Sequence, residues 1–465
     1  MTSMSQYAVM TDFGSTYTKV VCIDIKEHKV LLSEKYPSTV AYDARIGLKQ
    51  CYDAARKVLG EARFESSVKL STSSAAGGLR MGVIGLSRTL SLEAGRNAAF
   101  GAGAKILKTT SGALSDKDID ELYTLPLEIL LFCGGYDNGN ASIIEHNAEM
   151  IAKSGLHMPI IYAGNSMMAP LVRRLFTLSN KEFYIAPNIT PNVGLLDKMQ
   201  VEAIIRDVFL KRIINMKGLD VVSGMLDKMV MPTPAAVLTA GELLSRGTKT
   251  HKGMGDLIIL DIGGATTDVH SYSEQISYKG AKIVGSPEPY TKRTVEGDLG
   301  MRESANSLCN EVGMERICRE TGANEEEIHS VVNNWLNHHQ KLAENSLEKK
   351  VDLSLARGAV YCSARRHAGH LEHIVGAGVK EVQHGKNLTH VNTIIGTGGP
   401  IIYGGEPASI LSQALRTERS EPDVLLPESS DFYIDRDYVF FAGGLLREID
   451  EDAAFLMMRN SILPI

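Results

Sequence analysis

Apolar residues at the start of the chain are broken by one small polar turn. Tyr7 to Met10 lead into Thr11-Asp12-Phe13-Gly14-Ser15-Thr16, and the β-rich run Lys19-Val20-Val21-Cys22-Ile23-Asp24-Ile25 follows, which predicts a hairpin. The pattern recurs far downstream: Asp256 to Ile262 runs into Gly263-Gly264, and Val269 to Ser273 is the expected return strand. From about Gly82 to Pro187, strand-like runs (Met81 to Leu86, Ala104 to Leu107, Leu127 to Cys133, Pro159 to Ala163, Phe183 to Ala186) alternate with helical patterns. That alternation predicts βα units around a parallel sheet and a domain of its own. Between Met199 and Met216, Val201, Ile204, Ile205, Val208, Phe209 and Ile213 recur at helical spacing, the mark of one core-facing stripe. Met301 to Val375 reads as mostly helical and charged, and Thr393-Ile394-Ile395 enters Gly396-Thr397-Gly398-Gly399. The chain closes with Tyr438 to Ala442, Gly443-Gly444 and a helix through Met458.

Composition narrows the class. At 465 residues, 44% hydrophobic and 22% charged, the chain is long enough for about three ordered domains and is neither fibrous nor disordered. Lys and Arg total 49 against 55 Asp and Glu, so the net charge of −6 gives no basic footprint for nucleic acid or an anionic membrane. No secretory signal and no apolar run long enough to span a bilayer are visible, so a cytoplasmic protein is expected. Cys22, Cys51, Cys133, Cys309, Cys318 and Cys362 are scattered without a CxxC, which predicts reduced, mostly buried thiols rather than a zinc or iron–sulfur site.

The two hairpins carry the candidate chemistry. Asp12 and Asp261 each end a strand, and small residues and hydroxyls follow: Gly14, Ser15, Thr16, Thr18 and Lys19 after the first, Gly263, Gly264, Ala265, Thr266, Thr267 and Asp268 after the second. Small residues let backbone amides close on phosphate oxygens, and few carboxylates suit a Mg²⁺ ion that keeps most of its waters. One such turn is as readily a plain tight hairpin; two of the same design point to a nucleotide site. Lys19 offers a point charge for a terminal phosphate, and Asp268 a group to orient or deprotonate water. Gly396, Thr397, Gly398 and Gly399 form a turn against which a flat base and ribose can pack.

These motifs, in this order, resemble the actin, Hsp70 and sugar-kinase superfamily: a first phosphate motif at Asp12 to Lys19, a second at Asp261 to Asp268, and an adenosine motif at Ile395 to Pro400. Pro232 to Gly241 and Phe441 to Leu445 look like its two connecting helices, while Ala265 stands where many members have a third glycine. The resemblance implies an α/β protein with two ribonuclease-H-like lobes around a nucleotide cleft, binding ATP and Mg²⁺. Residues 1–81 and 188–240 would form the first lobe, 82–187 an inserted βα domain for partner recognition, 241–438 the second lobe, and 439–465 a return to the first.

Over most of its length the chain also resembles the MutL proteins associated with glutamate mutase, unrelated to the mismatch-repair protein of that name. Phe132 to Asn140, Ile160 to Asn165 and Thr294 to Arg302 carry that likeness. It implies a chaperone-like ATPase that exchanges damaged cobalamin on the subunits of an adenosylcobalamin-dependent aminomutase. The alternatives are a small-molecule kinase of the same superfamily, a filament-forming actin-like protein, and an activase of radical dehydratases, which would need paired cysteines. Four other features are read as structural: His367, His370 and His373 as surface histidines near a helix end, Asn324 to Glu327 as a helix start, Leu347 to Lys350 as a solvated helical face, and Trp335 as core packing.

Overall fold

The computed structural model describes residues 5–14, 17–40, 43–73, 79–139, 141–213, 228–374, 381–416 and 421–465. Ser15 and Thr16 of the first turn lie outside the described residues. The chain divides into two compact units: Met1–Ala75 with Met216–Ile283 and Arg293–Ile465, and Ala76–Asn215 with Val284–Lys292.

In the first unit, the opening hairpin is β1 (Tyr7–Phe13) and β2 (Tyr17–Asp24), continued by β3 (Lys29–Pro37) and β4 (Val68–Ser73). After the five strands of the other unit, β5 (Leu79–Gly85), β6 (Ala104–Ser111), β7 (Ile129–Gly134), β8 (Ile160–Gly164) and β9 (Phe183–Ile185), the chain returns as β10 (Lys228–Pro232). The sheet order is β10-β4-β1-β2-β3. β1 to β3 are antiparallel, and β4 and β10 run parallel to β1.

A second sheet in the same unit repeats the plan. Its strands are β11 (Leu257–Ile262), β12 (Thr267–Tyr272), β14 (Thr291–Glu296), β17 (Thr393–Thr397), β18 (Asp431–Asp435) and β19 (Ile462–Pro464), in the order β14-β12-β11-β17-β18-β19. β12 is antiparallel to β11, and β17 and then β18 continue on its other side in parallel. Each central strand is therefore followed by a hairpin partner on one side and two parallel strands on the other, the ribonuclease-H-like order. Parallel neighbours need covering helices, which is why β1 and β11 bury residues on both faces: Ala8, Val9 and Met10, and Leu257 to Leu260.

Two helices pack against each other in this unit. Thr233–Arg246 follows β10 with Pro234 in its first turn, and Phe440–Arg447 follows β18. Gly444 allows the approach: a Cβ there would lie 2.2 Å from the Ala236 carbonyl oxygen. Gly241 does the same for β12, since its Cβ would meet the Tyr272 hydroxyl at 2.2 Å.

The second unit is an all-parallel sheet ordered β6-β5-β7-β8-β9. β7 and β8 are buried along their whole length, as strands sandwiched between helices must be. Helix Met199–Ile213 buries Val201, Ile205, Val208 and Phe209. At the carboxyl ends of the strands, Asp137 Oδ1 accepts from the Ser166 amide at 2.7 Å and from Asn188 Nδ2 at 2.9 Å. The excursion Val284–Lys292 fastens here through the Ser286 amide, which donates to Thr89 O at 2.9 Å.

Two expectations need correction. His367 is not a surface residue: it is fully buried at the end of helix Ser346–His367, held by Thr294 and Ser271, while His370 and His373 lie on strand β15 (His370–His373). The last two stand three positions apart on a strand, not a helix, so they point to opposite faces of it. Nor is Leu347 to Lys350 wholly solvated, because Glu348 is buried, accepts from the Glu344 and Asn345 amides and pairs with Lys341 at 3.1 Å. Asn324 and Glu327 do cap their helix reciprocally, and Trp335 is core, with the Arg302 guanidinium 4.3 Å above its ring. All six cysteines are free, four of them buried.

Candidate functional site

Asp12 sits one residue before the end of β1, facing Lys19 on β2 and Thr72 on β4. It is 1% exposed, and burial of a carboxylate requires partners. Thr72 Oγ1 donates to Oδ1 at 3.1 Å, Thr233 Oγ1 donates to the same oxygen, and the Lys19 ammonium stands 3.7 Å from Oδ2. The turn beyond is closed by the Gly14 amide donating to Tyr17 O at 3.1 Å.

Asp261 repeats this placement on β11, facing Asp268 on β12 and Thr397 on β17. Its turn is closed by the Gly263 amide donating to Thr266 O at 2.9 Å. Asp268 is fixed from two sides, by Thr266 Oγ1 at 3.2 Å and by Arg293 Nη2 of β14 at 2.9 Å. The two hairpins thus differ at one telling position, where Lys19 faces the first aspartate and Asp268 the second.

The second turn is buttressed from behind. The Met301 amide donates to Gly263 O, and the Arg302 and Glu303 amides to Gly264 O, at 3.1, 2.8 and 2.9 Å. Thr267 Oγ1 donates to Leu299 O at 2.8 Å, and a Cβ on Gly300 would lie 2.3 Å from the Ala265 carbonyl carbon. The run Thr294 to Arg302 therefore holds the turn's carbonyls. The amides of Gly264 and Ala265 make no hydrogen bond among the described residues, which leaves donors available to an anion.

The third turn closes on Asp261. Gly398 has φ 91°, and a Cβ there would meet Asp261 Oδ1 at 2.8 Å and Ile262 O at 2.3 Å, so only glycine fits. Asp435, at the end of β18, accepts from Thr397 Oγ1 at 3.2 Å and from the Val439 and Phe440 amides at 2.9 and 3.4 Å.

Acidic groups outnumber cations here, and their ionisation shows it. Burial pushes Asp261 up to about 7, Asp268 and Asp435 adding to the rise while Lys19 and Arg293 oppose it. Burial likewise lifts Asp435 to about 6, although its amide and hydroxyl donors pull the other way. A carboxylate in that state gains most from a cation at its open side.

Of the residues singled out by sequence, the structure brings together Asp12, Gly14, Lys19, Asp261, Gly263, Gly264, Ala265, Thr266, Asp268 and Gly398. Four others turn elsewhere. The Thr18 side chain is buried against Gly47 of helix Ala44–Leu59, the Thr267 and Thr397 hydroxyls serve Leu299 O and Asp435, and Gly396 packs on Ile401 and Leu411. Gly399 has open space where a side chain would be. Thr72, Thr233, Arg293, Asp435 and Tyr438 complete the cluster and were not singled out. For Thr233 a signal existed, a hydroxyl residue between two prolines at a helix start.

Two ribonuclease-H-like sheets with matching carboxylate hairpins define an α/β fold of the actin and sugar-kinase kind. A family model described as MutL protein matches residues 8–462, and the chain belongs to that family. It is 36% identical over 459 residues to "Protein MutL" of Clostridium tetanomorphum, covering 98% of this chain and 99% of the relative. Among solved structures, ethanolamine utilization protein EutJ from Carboxydothermus hydrogenoformans aligns at 10% identity and TM-score 0.26, covering 97% of this chain and 89% of that one. Xylulose kinase from Bifidobacterium adolescentis aligns at 10% identity and TM-score 0.31, covering 99% and 94%. Among the described residues, no helix is long and apolar enough to cross a membrane.

Proposed function

We propose that this protein is a Mg·ATP-dependent ATPase that reactivates an adenosylcobalamin-dependent aminomutase, glutamate mutase or a relative, by releasing damaged cobalamin. The observation that carries the ATPase reading is the pairing of Asp12 and Asp261 at equivalent strand ends, with a buried excess of carboxylate around Asp261. That donor set fits a hydrated magnesium ion, held through Asp12 and Asp261. Bound there, the ion supplies charge neutralisation of the phosphates.

The chain's own residues account for the rest. The free amides of Gly264 and Ala265 take phosphate oxygens, and the Lys19 ammonium adds a positive charge for the terminal phosphate. Asp268, fixed by Arg293 and Thr266, orients the attacking water. The water oxygen bonds to the terminal phosphorus, the bond to the bridging oxygen breaks, ADP leaves with that oxygen, and the water's proton passes to phosphate or Asp268. Membership of the MutL family supports the mutase as the partner. Loosening a cofactor tenfold takes about 1.4 kcal/mol of differential binding, well within the free energy of one hydrolysed ATP. We assign partner recognition to the βα insert, residues 82–187, where the loops after β7 and β8 carry Gly134 to Asn138 and Gly164 to Ser166. Ligands bind at such carboxyl edges of open parallel sheets.

The test is phosphate release from Mg·ATP by purified protein, with and without a cobalamin-inactivated aminomutase of the same cell. Release accelerated by the damaged mutase, with mutase activity restored only when ATP and fresh adenosylcobalamin are both supplied, is the expected outcome. Release indifferent to the mutase but raised by a small metabolite would make the protein a kinase.

A further inference from the structure

Tyr438 is one of five residues other than glycine with positive φ among the described residues, at 56°, a conformation a bulky side chain adopts only when its surroundings enforce it. It sits in the turn between β18, a strand of the second sheet, and helix Phe440–Arg447, which packs on β1 and β4 of the first. The turn is fixed before it by the Asp435 carboxylate, which takes the Val439 and Phe440 amides, and by the Asp437 carbonyl, which accepts from Ser33 Oγ of β3. The chain thus passes from one sheet to the other at this residue, the kind of element-terminal position at which closing motions are absorbed.

Its ring lies under the lysine of the first phosphate turn. The Lys19 ammonium is 3.6 Å from the Tyr438 ring centroid and 3.7 Å from Asp12 Oδ2, so the cation is held between an aromatic face and a carboxylate. The charges that face the tyrosine are those of the site itself: Asp261, Asp12 and Asp435, with Tyr403 beside them, and together with burial they hold its hydroxyl protonated. A neutral ring in this place can support a cation and contributes no charge of its own.

We infer that Tyr438 is a positioning residue for Lys19: its ring fixes where the ammonium stands, and because the ring is carried on the crossing between sheets, its placement ties the lysine to their relative setting. This rests on the ATPase reading for its consequence in turnover, but the contact itself can be read without nucleotide. The aromatic face is what matters, not the hydroxyl.

The experiment compares Tyr438→Phe, Tyr438→Leu and Lys19→Met with wild type in two assays. In the first, Lys19 is acylated with a small activated ester in the absence of nucleotide, and its labelling rate is followed by peptide mass spectrometry against the other lysines. Tyr438→Phe is expected to label as wild type, and Tyr438→Leu several-fold faster at Lys19 alone. In the second, steady-state phosphate release from Mg·ATP is measured. Tyr438→Leu is expected to lose roughly tenfold in kcat with KM changed by less than about threefold, Tyr438→Phe to recover it, and Tyr438→Leu to have no further effect on the residual rate of Lys19→Met. Equal labelling of Lys19 in Tyr438→Leu and wild type overturns the proposal, as does a Tyr438→Leu loss that is undiminished in the Lys19→Met background. Absence of phosphate release from wild type, with ring-dependent labelling intact, overturns the ATPase reading and leaves the contact standing.

Discussion

Lys19 and Asp268 occupy equivalent positions on the return strands of two matching hairpins, one facing Asp12 and the other Asp261. The repeat is thus broken at one charge. A nucleotide's terminal phosphate needs a cation on one side and a water-orienting acceptor on the other, and a symmetric site would offer two of the same kind. Exchanging that charge should separate the roles. Lys19→Met is expected to lower phosphate release about 100-fold and to cost about 2 kcal/mol of folding stability, since it leaves the Asp12 carboxylate, 1% exposed, with only its hydroxyl donors. Urea unfolding together with a phosphate-release assay checks both halves.

Arg293 is almost wholly buried and binds Asp268 directly. Removing one member of such a pair leaves the other charge uncompensated, so Arg293→Met should cost about 3 kcal/mol in chemical denaturation. Asp268→Asn in the same chain should recover much of that loss while leaving hydrolysis absent. A double variant no more stable than Arg293→Met would show that the pair does not act as one.

Gly398→Ala places a side chain in a positive-φ position against the Ile262 carbonyl and Asp261. Destabilisation of more than about 1 kcal/mol is expected, with loss of nucleotide binding in titration calorimetry. Gly399→Ala, which meets nothing, serves as the matched control and should behave as wild type in folding.

The pH dependence follows from Asp261. Its carboxyl is raised in the folded state to about 7, so the folded protein binds more protons than the unfolded chain between the ordinary carboxylate range and about pH 7. Its contribution to stability is accordingly full at low pH and lost as pH rises through that window. Asp261→Asn should flatten this fall in thermal unfolding measured without metal. Magnesium competes with the proton for the same oxygens, so apparent magnesium affinity should rise from pH 6 to pH 8 in wild type and stay flat in the variant.

Much of this architecture was legible in the sequence because its signals are local. Each hairpin is a strand, a small-residue turn and a strand in one continuous run, and Asp12 and Asp261 are marked by the turns they precede. The parallel strands of the insert announced themselves by alternation with helices. What escaped was brought in by register across a crossover: Thr72 faces Asp12 only because β4 pairs in parallel beside β1. Arg293 lies within β14, Asp435 ends β18 and Tyr438 lies in the turn that follows, none of them in a motif of its own. Thr18 and Thr267 show a signal overlooked, since a period of two puts each on the opposite face from Lys19 and Asp268. The histidines misled because His367 ends a helix and His370 begins a strand, so one spacing spans two geometries.

In the proposed function, Asp12 and Asp261 together make a hydrolytic Mg·ATP site. The most direct measurement is phosphate release from Mg·ATP by wild type, Asp12→Asn and Asp261→Asn, each shown by circular dichroism to be folded. Measurable turnover in wild type and at least about a 100-fold loss in both variants are expected. Turnover in either variant equal to that of wild type would contradict the proposed function.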